Sequence, residues 1–376
     1  MVNNSLSTLC ESCTRSLLTN LLSKDFPSES EEEDTSPSGS SHTIITSGVT
    51  EGCYVCMVVW SNMKLENFKL IAGNKPSAQR MLRSFKSAFQ EDGRFLLKLS
   101  IIITSPSLSD DAHETQCRLL PRTGNSLITH APTFTLLQGT SVSEPTLRLA
   151  FDWYQHCRRN HTHCDISKVP NNKKGWLPTW LLKVAEDSQT CRLIMSEDLA
   201  YSANPPASLT LSYRWGEKPQ KLLLKSSNIP EFRSGLKLKD LPKTFQVLFS
   251  LSWRFSLPYF WIDALCIIQD SAKDWGIESS LMGYVYSNSA CNIMACASDD
   301  PQGGSFRDRD NTEPSLMPGI VPQPILATEK GNHFIFDKEF WNKRVRHGSL
   351  YNRGWTFQER LLAPWVLYFT EDQVMW

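Results

Sequence analysis

The last part of the chain, residues 207–376, predicts an α/β domain built on a parallel sheet, and the region before it predicts mixed α+β structure. Three observations carry the first expectation. Ser208–Trp215 (SLTLSYRW) alternates apolar and polar side chains and stops at Gly216, as a strand does. Tyr259–Leu265 is a run of aromatic and branched residues, the composition of a buried central strand, and Cys266–Asp270 carries it into polar side chains. Segments with helical apolar spacing lie between and after these two. The order strand, helix, strand, helix, strand then requires parallel pairing with right-handed crossovers.

Composition fits a soluble globular chain. Its 376 residues are 40% hydrophobic and 21% charged, enough for two or three domains with a sizeable core. Lys plus Arg and Asp plus Glu both number 39, so no global field would draw the protein to nucleic acid or an anionic membrane. The N-terminus has no basic start followed by an apolar run, and nowhere is there a membrane-spanning length of apolar sequence. A cytoplasmic protein is expected, in which the 11 cysteines are thiols or metal ligands rather than disulfides.

Residues 1–50 begin with an amphipathic piece at Leu17–Leu22 and pass into a Ser/Pro stretch with an acidic run at 29–34, the composition of a flexible, solvated segment. Cys10 and Cys13 form one C-x-x-C, Cys53 and Cys56 a second, with His42 between them. The two-residue spacer lets both sulfurs of a pair reach one ion, so two pairs can supply the four thiolates of a zinc site. The other reading is small buried thiols behaving as apolar side chains.

From 51 to 200 an accessory region is expected. Tyr54–Trp60 and Phe95–Thr104 read as strands and Ala78–Gln90 as a helix. Residues 148–164 have helical character and place Trp153, Cys157, His161 and Cys164 along one face: either Cys157, His161 and Cys164 converge on a metal, or the face is a Trp/Cys apolar side with surface histidines. A polar linker at 168–174 precedes WLPTWLLKV and a strand at Cys191–Met195.

In the last region Asp240-Leu241-Pro242 opens a helix that carries Phe245, Leu248, Phe249 and Phe255 and ends before Pro258. Ser271 caps the next helix, with Trp275, Glu278, Met282 and Tyr286 on one face. Asn292–Ala297 is a strand of small residues, Asn352–Ala363 a short helix with Trp355, Leu361 and Leu362 buried and Gln358 and Glu359 polar, and Val366–Thr370 a final strand.

Parallel strands would bring the loops Ser212–Glu217 and Cys266–Asp270 to one carboxyl-terminal edge, where open α/β sheets bind ligands. That singles out Ser212, Tyr213, Trp215, Gly216, Gln269 and Asp270 as crevice residues. Glu278 would face the same crevice from an apolar surround, where burial raises its pKa and suits it to proton transfer, or else it bonds a neighbouring loop. Asp263 sits in an apolar run and needs a cation, Arg353 or Arg360. Cys266 has no histidine near it, since none occurs between 164 and 332, which argues against a Cys/His mechanism. Phosphate-binding glycine loops are absent.

LSYRWGE at 211–217, FWIDALCIIQD at 260–270, Trp275 with Glu278, Met282 and Tyr286, and NRGWTFQERLL at 352–362 resemble, in order and spacing, the motifs of the fungal heterokaryon incompatibility (HET) domain. The resemblance implies a cytoplasmic regulator of nonself recognition that triggers cell death through partner proteins or self-association. It also implies a flavodoxin-like sheet, because HET domains are considered distant relatives of TIR domains. Some TIR domains cleave NAD with a glutamate, and by that analogy Glu278 is the catalytic candidate, NAD a substrate rather than a cofactor. Trp365 departs from the pattern, standing where the family usually has an arginine. The resemblance runs out with the chain at Trp376, as in a truncated or minimal member of the family.

Overall fold

Strand and helix patterning can be compared with a computed structural model, which describes residues 9–11, 13–14, 50–51, 53–62, 80–89, 95–104, 111–121, 140–160, 176–187, 189–199, 206–308, 319–321, 333–371 and 373–376. Most of the segment expected to be flexible, including Leu17–Leu22 and His42, lies outside these residues, as do His161, Cys164 and the linker at 168–174. Two compact units divide the chain, Met1–Thr135 with Asp310–Trp341, and Leu136–Arg309 with Asn342–Trp376. Among the described residues no helix is long and apolar enough to cross a membrane.

The first unit holds an antiparallel sheet of β1 (Arg80–Phe89), β2 (Phe95–Thr104), β3 (Asp111–Pro121), β10 (Gly319–Val321) and β11 (His333–Asp337), in the order β1-β2-β3-β11-β10. Helix α1 (Tyr54–Asn62) packs against β3. Phe95–Thr104 is a strand as its composition predicts, but two neighbours reverse the expectation. Tyr54–Trp60 is helical: residues 53–58 are all buried, and a helix buried on every side shows no amphipathic period to set it apart from a strand. Residues 80–89 are a strand, because ten residues of pairing with β2 outweigh a local apolar spacing that also suits a helix.

The second unit is an eight-stranded mixed sheet in the order β13-β12-β9-β6-β8-β4-β5-β7. At its centre β8 (Tyr259–Trp261), β6 (Ser208–Ser212), β9 (Cys291–Ala295) and β12 (Val366–Phe369) pair in parallel, as expected for this region. Antiparallel strands β4 (Trp180–Val184), β5 (Thr190–Met195), β7 (Leu236–Lys237) and β13 (Val374–Met375) extend both sides. Every residue of β6 and β9 is buried, the mark of strands covered on both faces.

Helices α2 (Glu144–Asn160) and α4 (Lys243–Phe255) pack together on one face. On the other face α6 (Ala272–Ser287) packs against α7 (Thr356–Leu362). Adjacent residues of β8 show the two faces, since successive side chains on a strand point in opposite directions: Phe260 meets Phe249 of α4, and Trp261 meets Tyr286 of α6. Each such fully buried ring contributes roughly 1.5–3 kcal/mol. Ser271 caps α6 as its position predicts, accepting a hydrogen bond from Asp274 N at 3.2 Å. The short α3 (Ile229–Ser234) completes this unit together with α5 (Asp263–Cys266).

Three expectations about these elements are corrected. The central strand stops at Trp261, and Asp263–Cys266 coil into α5, where Asp263 Oδ1 accepts from Ala264 N and Cys266 N reaches Ile262 O at 2.8 Å. Trp275 is 53% exposed although Glu278, Met282 and Tyr286 on its face are buried, because none of residues 272–277 at the start of α6 is buried. In α7 the inward residues are Thr356 and Glu359, while Trp355 and Leu361 are exposed; Leu362 contacts α6 at Gly283. Thr356 donates to Leu350 O at 3.0 Å, which fixes the rotation of this helix.

Candidate functional site

β6 ends at Ser212, and the chain leaves the sheet through Tyr213, Arg214 and Trp215 to a turn at Gly216. Gly216 has φ +78°, and a Cβ there would sit 2.7 Å from Asp300 Cβ, so only glycine fits. This turn aims Tyr213 and Trp215 at Asp263, at the start of α5. Asp263 Oδ1 accepts from Tyr213 OH at 2.7 Å and from Ala264 N at 2.7 Å. Its Oδ2 accepts from Trp215 Nε1 at 2.8 Å and meets Arg353 Nη2 at 3.5 Å. Of the two arginines expected to neutralise it, Arg353 is the one in place, while Arg360 lies over the ring of Tyr351.

Arg353 also donates through Nη1 to Tyr213 O at 2.5 Å and stands 3.6 Å from Glu359 Oε1. Glu359 is 1% exposed, and among the described residues neither of its oxygens accepts a hydrogen bond of standard geometry. Burial raises its pKa, and the Arg353 charge and the hydroxyls of Ser212 and Tyr286 oppose that rise without cancelling it. Burial also pushes the phenols of Tyr213 and Tyr286 well up, with the neighbouring carboxylates adding to the shift. For Arg353 burial acts downward, and the carboxylates of Glu359 and Asp263 outweigh it, so the guanidinium stays charged. Beneath them Asn292 of β9 donates to Ser212 Oγ at 3.0 Å and accepts from Thr210 at 3.1 Å.

Elements remote in sequence thus place Ser212, Tyr213, Trp215, Asp263, Tyr286, Arg353 and Glu359 in one buried polar cluster at the carboxyl-terminal edge of β6 and β8. The model of the heterokaryon incompatibility protein (HET) family matches residues 209–359, the span that holds every one of them. The chain carries a HET domain. Neither a curated protein nor a solved structure matches it.

Within the HET domain the other expected residues take different stations. Glu278 is 1% exposed and is bonded through Oε1 to Thr179 Oγ1 at 2.5 Å, just ahead of β4, while Oε2 has no hydrogen-bond partner among the described residues. Burial raises its pKa and the Thr179 hydroxyl opposes the shift. Among the described residues no hydrogen bond or ion pair joins Glu278 to Asp263, Arg353 or Glu359. Cys266, fully buried and with its thiol pushed up chiefly by that burial, senses both Glu278 and Asp263.

Gln269 turns its amide onto Asp263 O at 2.9 Å and Ile267 O at 3.0 Å, which holds α5 in shape. Asp270 accepts from Ser226 N and Oγ at 2.8 and 3.0 Å, and these bonds lower its pKa. Gln358 lies beside Gly283 of α6, and Trp355 is 47% exposed at the head of α7. Tyr286 and Asn292 were not singled out for the cluster from sequence. The signal for Asn292 is its place as the one amide in an otherwise apolar strand, CNIMA.

A cavity of about 210 Å³ opens at the carboxyl ends of β9 and β12, lined by Cys296, Asp299, Lys343, Arg344, His347 and Glu371 among others. The buried sulfur of Cys157 accepts from Trp365 Nε1 at 3.0 Å. In the first unit Cys10, Cys13, Cys53 and Cys56 do converge, with all four sulfurs within 4.8 Å of one another.

Proposed function

We propose that this protein is a cytoplasmic incompatibility factor of fungal nonself recognition, whose activation leads to cell death through self-association or contact with a partner protein. The observation that carries this reading is the HET family match over 209–359, whose motif residues close into one buried cluster around Asp263 and Arg353. A flavodoxin-like, TIR-related sheet is supported by the order of the parallel strands, β8-β6-β9-β12, in which the second strand in sequence lies outside the first. Inducible expression in a filamentous fungal host tests the function. Induction should arrest growth and kill cells. Accumulation of folded protein without any effect on growth would overturn the reading.

A second reading, an NAD-cleaving hydrolase acting through Glu278, is favoured by the burial of that carboxylate with one oxygen unbonded. Purified protein incubated with NAD should consume it, and Glu278→Gln should not. An NAD pool untouched by the wild type, or consumed equally by the variant, rejects this chemistry. For the first unit, zinc is the ion we assign to the four clustered thiols.

A further inference from the structure

We propose that Cys10, Cys13, Cys53 and Cys56 form a closed structural zinc site that staples the start of the chain to helix α1, and through α1 to the β3–β11 ladder of the first unit. The proposal rests on zinc as the ion at these thiols and adds what the ion does there.

The first support is the shape of the sulfur cluster. Zinc bound to four thiolates at about 2.3 Å is tetrahedral, which sets the sulfurs about 3.8 Å apart. Cys56 Sγ lies 3.8 Å from Cys10 Sγ and 3.6 Å from Cys13 Sγ, and the remaining separations stay within 4.8 Å. All four thiols are free, and three of them are at most 2% exposed. A disulfide needs two sulfurs at about 2.0 Å, well inside the 3.8 and 3.6 Å that separate Cys56 Sγ from Cys10 and Cys13 Sγ.

The second support is the repeated backbone. In each C-x-x-C the first cysteine opens a helical turn, with Thr14 N donating to Cys10 O and Met57 N to Cys53 O, both at 2.9 Å. The second pair lies at the N-terminus of α1. Binding exchanges four thiol protons for one Zn²⁺ with no change of oxidation state. Four protein ligands fill the coordination shell and leave no open position for a substrate, so the ion's role is structural.

The staple follows from Tyr54, which sits inside the second C-x-x-C and is fully buried. Its hydroxyl accepts from Asp337 N at 2.9 Å, and Asp337 pairs with Cys117 at the end of the β3–β11 ladder. One ion therefore fixes three segments remote in sequence, at 9–14, 53–62 and 333–337. Closing such long loops is where a cross-link gains most against chain entropy.

Full-length protein purified under reducing conditions, with intact mass, metal content and amide hydrogen exchange measured before and after a zinc chelator, tests the proposal. One zinc per chain is expected, and its removal should speed exchange in 9–14, 53–62 and at the Asp337 amide by at least about tenfold. Cobalt loaded in place of zinc should give the intense visible bands of a tetrahedral thiolate site. A chain that carries no metal, refuses cobalt or shows the mass of two disulfides overturns both the zinc assignment and the staple. Stoichiometric zinc whose removal leaves exchange unchanged overturns the staple alone. Cys13→Ser with Cys56→Ser should lose the metal and, if folded, match the chelated protein in exchange.

Discussion

One guanidinium serves two buried carboxylates: Arg353 Nη2 stands 3.5 Å from Asp263 Oδ2 and 3.6 Å from Glu359 Oε1. Asp263 has Tyr213, Trp215 and Ala264 N–H as further partners, whereas Glu359 has no hydrogen bond of standard geometry. Removing the cation therefore strands Glu359 most. Arg353→Met should cost about 3–5 kcal/mol in urea unfolding, the usual penalty for breaking a buried pair. Adding Glu359→Gln should restore part of that loss. A double variant no more stable than the single one would mean that the two side chains act independently.

The same carboxyl sets a pH dependence. Burial raises the folded-state pKa of Glu359 above its unfolded value, about 4.3, so the folded protein holds a proton that the unfolded chain has released. Stability from this group is therefore highest at the acid end of that window and falls as pH rises through it. Glu359→Gln removes this contribution. The stability of the variant relative to wild type should climb as pH rises above about 4.3, followed as the urea midpoint at each pH. Glu278, raised in the same sense, is common to both proteins and cancels. A difference that stays flat over the window contradicts the assignment.

Much of the HET domain was legible in sequence because its signals are local. The parallel core follows from the alternation in SLTLSYRW and the helix spacings around it, and a cation for Asp263, Arg353 or Arg360, from the rule that a carboxyl in an apolar run needs one; the fold selects Arg353. What stayed hidden depends on how elements are rotated and where they end. Trp275 and Leu361 sit at apolar positions of their helices yet are exposed, and Glu359, read as polar, turns inward because Thr356 and Arg353 hold α7 that way round. Helix α1 and strand β1 exchanged identities for a related reason: a short apolar stretch suits either state until a neighbour is present. The sulfur cluster was legible only as two spacings. Its convergence needed the fold.

Gly216 is the hinge on which the cluster turns. A Cβ there meets Asp300 Cβ at 2.7 Å while φ stays at +78°, so two penalties act together. Gly216→Ala should lower stability by about 2 kcal/mol or more, with the strained backbone supplying roughly 1–2 of it and the displaced loop at Asp300 the rest. Thermal melting of the variant reads the total. Tryptophan fluorescence gives the local part, since Trp215 should lose its bond to Asp263. A variant as stable as wild type would place the backbone of this turn elsewhere.

Trp365 is built into the core. It is 7% exposed, meets Tyr154 edge-on at 5.5 Å between ring centres and donates Nε1 to Cys157 Sγ at 3.0 Å. Tyr154 in turn stacks on Phe255 of α4, so the indole closes a chain of rings between β12 and the α2–α4 layer. An arginine at this position would lose the ring contact and bring a charge among apolar side chains, with a sulfur as its neighbour. Trp365→Arg should therefore cost at least about 3 kcal/mol, whereas Trp365→Phe keeps the ring and should cost about 1–2. Chemical denaturation of the two variants separates the cases. Equal stabilities would mean that the guanidinium escapes to solvent and that the site tolerates an arginine.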